Sequence, residues 1–471
     1  MLYTDGIGAG FTAHNHWGVT WNDVTGWGGT GDKDLAVDFE QLLGYWSTIR
    51  IQTERELWSA EFGHLTFTVR SGLGGNLYPY LRDADGTSIT PVSTTADYIL
   101  EGSVQLAEQT VSIPMSNLLS NGHTLLSGVL FDSDRKGIVY LNDIQLEPPT
   151  PGLFTLFDDH LHVQVNRWGN TQLSTTFSEP FAGQNAIRAE FPMAWEGFSL
   201  RQTQRVSTDE FGALTFAVKG NQSGQNLLVY AIDEDEDIVG TAVWASDYIH
   251  GGVLPTDWQV AWIPLRDLMP GGGDFNGIAV EPSVAGTVWL DEVKVVEGFK
   301  LPLSGGKNWK ATTSAGGSAT HSEDTNYYSL DFAARTLEDD EGNTQLSNVP
   351  IIAAAGGKVV EVGYSATGNG HYIRIDHDYD GNVNTGITTH YLHLKERPLV
   401  GEGATVSQGQ QIGIMGTTGY SSGIHLHFQF KSEGMSTKEG AAMFRFVELE
   451  GIQIEDYQAG SFYPSSNLVV Q

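Results

Sequence analysis

Phe62–Arg70 reads FGHLTFTVR, and Phe211–Lys219 reads FGALTFAVK. Both stretches alternate large apolar side chains with smaller or polar ones, the period-two pattern of a strand with one face buried. The copies lie 149 residues apart, and the same offset relates VYLNDIQLE from Val139 to VWLDEVKVVE from Val288 and WSTIRIQT from Trp46 to WEGFSLRQT from Trp195. SIPMSNLL from Ser112 matches WIPLRDLM from Trp262, and Asn76-Leu77 matches Asn226-Leu227, both at an offset of 150. Anchors so widely spaced in one register mark a duplicated fold, and the period is too long for a solenoid unit, so each copy is expected to be a complete domain. The Pro- and Gly-bearing segments LEPPTPG (146–152) and VEGFKLPLSGG (296–306) then divide the chain into 1–149, 151–299 and 301–471. Such residues punctuate chains between folded units.

Composition agrees with an all-β chain. The 471 residues include 57 Gly, 12 Trp, 17 Tyr and 21 Phe, with short β-branched runs between turn residues and little helical periodicity. The formal charge of −32 argues against nucleic acid or an anionic membrane surface as partner, because both need a basic footprint. Cys 0 means no disulfides and no thiolate metal ligand, so a metal must be held by His, Asp or Glu. No stretch of 18 apolar residues is present, so no membrane span is expected. The opening MLYTDGIGAG lacks the basic and apolar regions of a signal peptide, which leaves either an intracellular protein or an exported one whose signal peptide is gone.

The two N-terminal copies resemble β-jelly-roll carbohydrate-binding modules in their closing strands VYLNDIQL and VWLDEVKV and in WQVAWIPLRDL and LLVYAIDEDED. Eleven of the 12 Trp precede residue 300. Indole faces stack on sugar rings, although most such residues fill sandwich cores. Trp17, Trp21 and Trp27, in the loop-like HNHWGVTWNDVTGWGG, are the candidate sugar platforms. The acidic run DEDED (233–237) is a formal candidate for Ca2+ but reads better as a solvated turn. DHDYDGN (376–382) starts like a calcium loop, yet position twelve is Ile387 where a bidentate Glu is needed, so a hairpin turn is expected.

Beyond residue 301 short β-runs are separated by Gly: PIIAAAGGKVVEVGY, HYIRIDHDYDG, TTHYLHL, ATVSQGQQIGIMG and IHLHFQF. The pattern predicts an antiparallel sheet of hairpins. In IHLHFQF, His425 and His427 leave one face of a strand at i and i+2, about 7 Å apart. That separation suits one histidine on a metal and its neighbour on what the metal activates. A hydrolytic zinc site needs three N or O ligands with an open fourth position, and profits from a nearby acid–base group.

These residues place the third domain close to a known family. LDFAA, PIIAAAGGKVVEVGYSATGNGHYIRIDH, YLHL and GATVSQGQQIGIMGTTGYSSGIHLHFQF, in that order over about residues 320–430, resemble the lysostaphin-like (LytM-type) zinc metalloendopeptidases that cut bacterial peptidoglycan. The resemblance implies Asp331 and His427 as zinc ligands and His393 and His425 as the catalytic pair. The family places its first ligand histidine four positions before the aspartate, where this chain has Tyr327. His321, ten positions before Asp331, is expected to loop back as the third ligand, with Glu323 and Asp324 as substitutes. His377 could support the site from behind, while His371 and His390 are read as ordinary histidines.

The expected architecture is therefore all-β: two tandem jelly-roll-like β-sandwich modules and an antiparallel lysostaphin-like peptidase domain. The expected activity is zinc-dependent endopeptidase action on peptidoglycan peptides, with the modules binding polysaccharide. Such a substrate lies outside the cytoplasm, which favours a secreted or cell-envelope protein whose signal peptide is absent from this sequence. Two other readings stay open, a glycan-binding protein with a degenerate peptidase domain and an endopeptidase for another glycine-rich protein.

Overall fold

A computed structural model describes residues 11–470 apart from 17–18, 26–32, 40–46, 73–74, 90–93, 120–121, 123, 134, 151, 177–178, 250–251, 255, 318–320, 323–325, 341–344, 380–382, 384–385, 432–443 and 445. The described chain is built almost wholly of antiparallel sheets. The first sandwich pairs a sheet ordered Phe11–His16, Ser47–Trp58, Leu125–Ser133, Leu77–Asp83 with one ordered Val19–Thr25, Lys33–Phe39, Gly137–Glu147, His64–Ser71, Gln109–Pro114. In the second, Gln164–Trp168, Gly197–Ser207, Asp274–Pro282, Leu227–Ile232 and Ile238–Trp244 face Gln172–Thr176, Ala186–Phe191, Gly286–Glu297, Phe211–Gly220 and Gln259–Pro264. The stretches matched in the sequence thus occupy equivalent strands. A bulge repeats too: Asp143 and Glu292 both adopt positive φ, 48° and 51°, where the closing strand shifts register. Both strands gain an extra residue there and bend at the same point.

Alternation decides what each sandwich buries. Leu65, Phe67 and Val69 meet Ile49, Ile51 and Phe131 of the facing sheet, and Leu214, Phe216 and Val218 meet Leu200, Val229 and Val280. Burying each such side chain contributes about 1.5–3 kcal/mol.

The C-terminal sheet has eight strands, labelled in chain order β1 (Asn308–Thr313), β2 (Ser329–Thr336), β3 (Gly357–Ser365), β4 (Gly370–Asp376), β5 (Thr388–Leu394), β6 (Thr405–Val406), β7 (His425–Lys431) and β8 (Phe462–Pro464), in the order β6-β3-β4-β5-β7-β2-β1-β8. The DHDYDGN segment joins β4 to its antiparallel neighbour β5. One face is apolar, with Leu330, Phe332, Ile373, Ile375, Tyr391, Leu426 and Phe428 buried.

That core is continuous with the second sandwich. Ala213, Ala217, Val260, Trp262 and Val296, on the outer face of the second sandwich's closing sheet, join the buried cluster of the C-terminal sheet. Phe299 is the hinge of this contact: its ring stacks on Trp262 at 6.0 Å and meets Phe430 and His377 edge-on, each at 4.9 Å. The sandwich contact is polar by comparison, with Arg167 donating to the Leu100 carbonyl at 3.1 Å and the Thr175 amide to Glu101 at 3.0 Å. Among the described residues no helix is long and apolar enough to cross a membrane.

Candidate metal centre and groove

Strands β5, β7 and β2 are neighbours, and their pairing sets the site. Asp331 on β2 lies directly opposite His427 on β7, which lies opposite Leu392 on β5. Cross-strand partners share a face, so the carboxylate and the imidazole leave the sheet together. Asp331 Oδ1 sits 3.0 Å from His427 Nδ1 and 3.2 Å from His321 Nε2. His321 comes from the segment between β1 and β2, and its Nδ1–H donates to the Ser314 carbonyl at 3.1 Å. That bond fixes the tautomer and leaves Nε2 as a lone pair, fully buried and without a hydrogen-bond partner. Donor atoms of His321, Asp331 and His427 all lie within 4.8 Å of one another. Two imidazoles, one with an orphaned buried nitrogen, and one carboxylate fit a tetrahedral zinc site of three protein donors with the fourth position open. Burial works to raise the Asp331 pKa, but the close approach of the His321 and His427 imidazoles prevails and holds it well below the usual carboxylate range. It is therefore an anion available to a cation.

His393 reaches the same face by a backbone irregularity. Strict alternation would send it into the core with Tyr391. Instead β5 carries an extra residue against β4 between Tyr391 and Leu394, and His393 adopts φ 62°. A bulge re-aims the side chain, so that His390, Leu392 and His393 all border one groove while Tyr391 is fully buried. The His393 amide donates to the Asn369 carbonyl at 2.9 Å, and its Nδ1–H to the Thr418 carbonyl at 2.9 Å. Nε2 is thereby left as the acceptor. Two close approaches hold Thr418 in place: a Cβ on Gly370 would stand 2.3 Å from the Thr418 oxygen, and one on Gly419 2.2 Å from the Gly370 nitrogen. Both glycines have positive φ, 66° and 75°, so this GTTGYSSG turn demands them twice over. Burial is the main cause that brings the His393 pKa down to about 4, so the ring is neutral near pH 7.

His425 lies 4.9 Å from His393 between ring centroids and 3.9 Å from Asp331 Oδ1 through its Nε2. Its Nδ1–H donates to the Gly423 carbonyl at 2.9 Å. A groove of about 490 Å³ runs past His393 and His427 and is rimmed by Tyr420, Tyr372 and Lys431.

The structure thus gathers His321, Asp331, His427, His393 and His425 at one place. Tyr327 is not among the converging donors and is partly buried against Tyr328. His377 does not support the site: its two nitrogens bond the Gly356 carbonyl and Thr389 Oγ1, both at 2.7 Å, and it packs on Phe299 under the second sandwich. His390 is no ordinary surface residue; it is buried beside the groove with Nε2 lacking a hydrogen-bond partner. Within DEDED, Asp233 Oδ1 accepts the Asp235 and Asp237 amides, each at 3.0 Å, so this carboxylate closes its own turn. Trp17, Trp27, Glu323 and Asp324 lie outside the described residues; Trp21 lies on the strand Val19–Thr25. The second sandwich presents an exposed indole that the sequence pattern does not single out. Trp195 is 54% exposed, its ring 6.1 Å from Trp244, and its carbonyl accepts from the Trp168 indole at 3.3 Å. The Trp46–Trp195 repeat match was the available signal.

The site is of the metallopeptidase type, and through its C-terminal domain the chain belongs to peptidase family M23, whose profile matches residues 343–439. That span holds His393, His425 and His427 and begins after His321 and Asp331. The family is zinc-dependent. The chain is 45% identical over 86 residues to the peptidoglycan DD-endopeptidase ShyC of Vibrio cholerae (18% of this chain, 18% of that protein). It is 39% identical over 87 residues to lipoprotein NlpD of Yersinia enterocolitica (18% of this chain, 81% of that protein). The chain therefore spans less than a fifth of the length of ShyC. Among solved structures, the tandem CBM22 domains of Paenibacillus barcinonensis Xyn10C align at 11% identity over 63% of this chain and 96% of that one, with a TM-score of 0.23.

Proposed function

We propose that the protein is a zinc-dependent endopeptidase of bacterial cell-wall peptidoglycan, working at the cell envelope or outside the cell. The observation that supports this most is the convergence of His321, Asp331 and His427 beside the paired His393 and His425, at a groove that His393 and His427 line. His321, Asp331 and His427 would hold the ion. When bound, Zn2+ supplies Lewis acidity to a scissile carbonyl and acidifies a water at that point. His393, neutral and anchored by Thr418, presents Nε2 to take a proton from the attacking water or return one to the leaving amine. His425, with Nδ1–H committed to Gly423, offers Nε2 on the same side for the second proton-handling role. The strain at φ 62° costs roughly 1 kcal/mol and keeps the His393 ring aimed at the groove.

Substrate class rests on the relatives. ShyC is a peptidoglycan endopeptidase, and a groove of about 490 Å³ has room for part of a peptide strand. The second sandwich carries Trp195, Trp244 and Trp168 on one surface, a stacking platform suited to sugar rings, so it would hold the enzyme on wall polysaccharide. Because that sandwich shares a core with the peptidase domain through Phe299, it would present the groove at a fixed orientation to the glycan. The test is digestion of purified peptidoglycan by the zinc-loaded chain with and without a chelator. Chelator-sensitive release of peptide termini is expected; an intact wall would refute the proposal.

A further inference from the structure

A second group of possible metal donors lies far from β7 in sequence. Between the strands Leu153–Phe157 and Gln164–Trp168, the chain reads Asp158-Asp159-His160-Leu161-His162. Residues 160–165, HLHVQV, share the H-L-H-apolar-Q-apolar string of HLHFQF at 425–430. The geometry differs for a clear reason. On β7 the two histidines divide between ligand and neighbour, whereas here a bridge between Phe157 and Leu161 folds residues 158–160 into a tight turn. The turn brings both imidazoles onto one carboxylate.

Asp158 Oδ1 is 2.9 Å from His162 Nε2 and 3.4 Å from His160 Nδ1. Zinc bonded to N and O donors at about 2.0–2.1 Å in a tetrahedron spaces those donors about 3.3 Å apart, so little adjustment is needed. Donor atoms of Asp158, His160 and His162 all lie within 4.8 Å of one another. His162 Nδ1 is 3.1 Å from the buried Ser112 hydroxyl, which occupies the other ring nitrogen as is usual for ligating histidines. His160 Nε2 is buried with no hydrogen-bond partner.

The location adds a role. Ser112 and His64, whose ring meets His162 edge-on at 5.4 Å, belong to the first sandwich. The adjoining cleft, about 920 Å³, is walled by residues of all three parts of the chain, among them His64, His160 and Asp378. We propose that Asp158, His160 and His162 form a second divalent-metal site of the zinc class, which fastens the seam between the two sandwiches. This site is independent of the peptidase centre and of the activity proposed above.

The test is zinc content per chain. Tag-free full-length protein is stripped, reloaded with Zn2+, desalted and measured by mass spectrometry of the metal. The wild type should hold two equivalents, and Asp158→Asn, His160→Ala and Asp331→Ala one each. Asp158→Asn keeps the oxygen that caps the Asp159 amide at 2.7 Å, so the turn should survive, which far-UV circular dichroism checks. Zn2+ should also raise the melting temperature of Asp331→Ala but not of the Asp158→Asn/Asp331→Ala double variant. Should the peptidase centre not bind zinc while the seam does, the wild type would hold one equivalent, Asp331→Ala would keep it, and His160→Ala would lose it. Folded Asp158→Asn and His160→Ala proteins with the same zinc content as the wild type would overturn the proposal.

Discussion

His393→Ala separates chemistry from metal binding and from stability. The ring lies 6.1 Å from that of His427 between centroids and is not among the three converging donors, so its removal should leave zinc content at the wild-type level. Positioned acid–base groups contribute about 10²–10⁴ in rate, equivalent to about 3–5 kcal/mol of transition-state stabilisation. The cost in stability is much smaller. The bond from Nδ1 to the Thr418 carbonyl, 2.9 Å long, is worth about 1 kcal/mol. Glycine at position 393 supplies the control, because φ 62° is free of penalty only for glycine. His393→Gly regains about 1 kcal/mol of strain and should be as stable as the wild type, yet it should be as slow as His393→Ala. Turnover on soluble peptidoglycan fragments, zinc content and urea unfolding measured on the three proteins decide the matter. Activity within threefold of wild type in either variant would refute the assigned role, and loss of zinc would show His393 to be a ligand instead.

Asp331→Asn should lose the peptidase zinc and all turnover with little change of fold, which metal analysis beside circular dichroism would register. Phe299→Ala removes a ring that is 3% exposed and touches Trp262, His377 and Phe430. It should cost about 3–5 kcal/mol and split one urea transition of the joined second sandwich and peptidase domain into two. Acid should destabilise the metal-free protein through His377, whose pKa is brought down from 6.5 to about 4 chiefly by burial. The unfolded chain takes the proton first, so stability present above pH 6.5 drains away as pH falls toward 4, by about 3 kcal/mol for this residue. His377→Gln should show a shallower decline in urea unfolding between pH 7 and 4.5. Trp195→Ala should weaken co-sedimentation with insoluble wall polysaccharide while turnover on soluble fragments is unchanged.

Local patterns in the sequence carried much of this. Strand periodicity and the 149-residue repeat are short-range or self-similar signals, and alternation in HLHF correctly puts His425 and His427 on one face. Features that depend on three-dimensional context were not legible. His393 faces the groove only because β5 bulges, and a bulge has no signature in YLHL. His377 sits in a strand-end position that looks available to the site, but the docking of Trp262 and Phe299 claims that side of the sheet. DDHLH has no ligand spacing of its own, because its donors converge only through a turn closed by Phe157 and Leu161. The Trp195 surface forms from segments distant in sequence, so clustering of tryptophans along the chain does not mark it.

Mass spectrometry of purified peptidoglycan after incubation with the zinc-loaded chain tests the central claim most directly. New amino and carboxyl termini within the peptides, intact glycan chains, and suppression of both termini by a zinc chelator are the predicted result. Cleavage confined to glycosidic bonds, or no cleavage by protein shown to carry zinc at His321, Asp331 and His427, would contradict it.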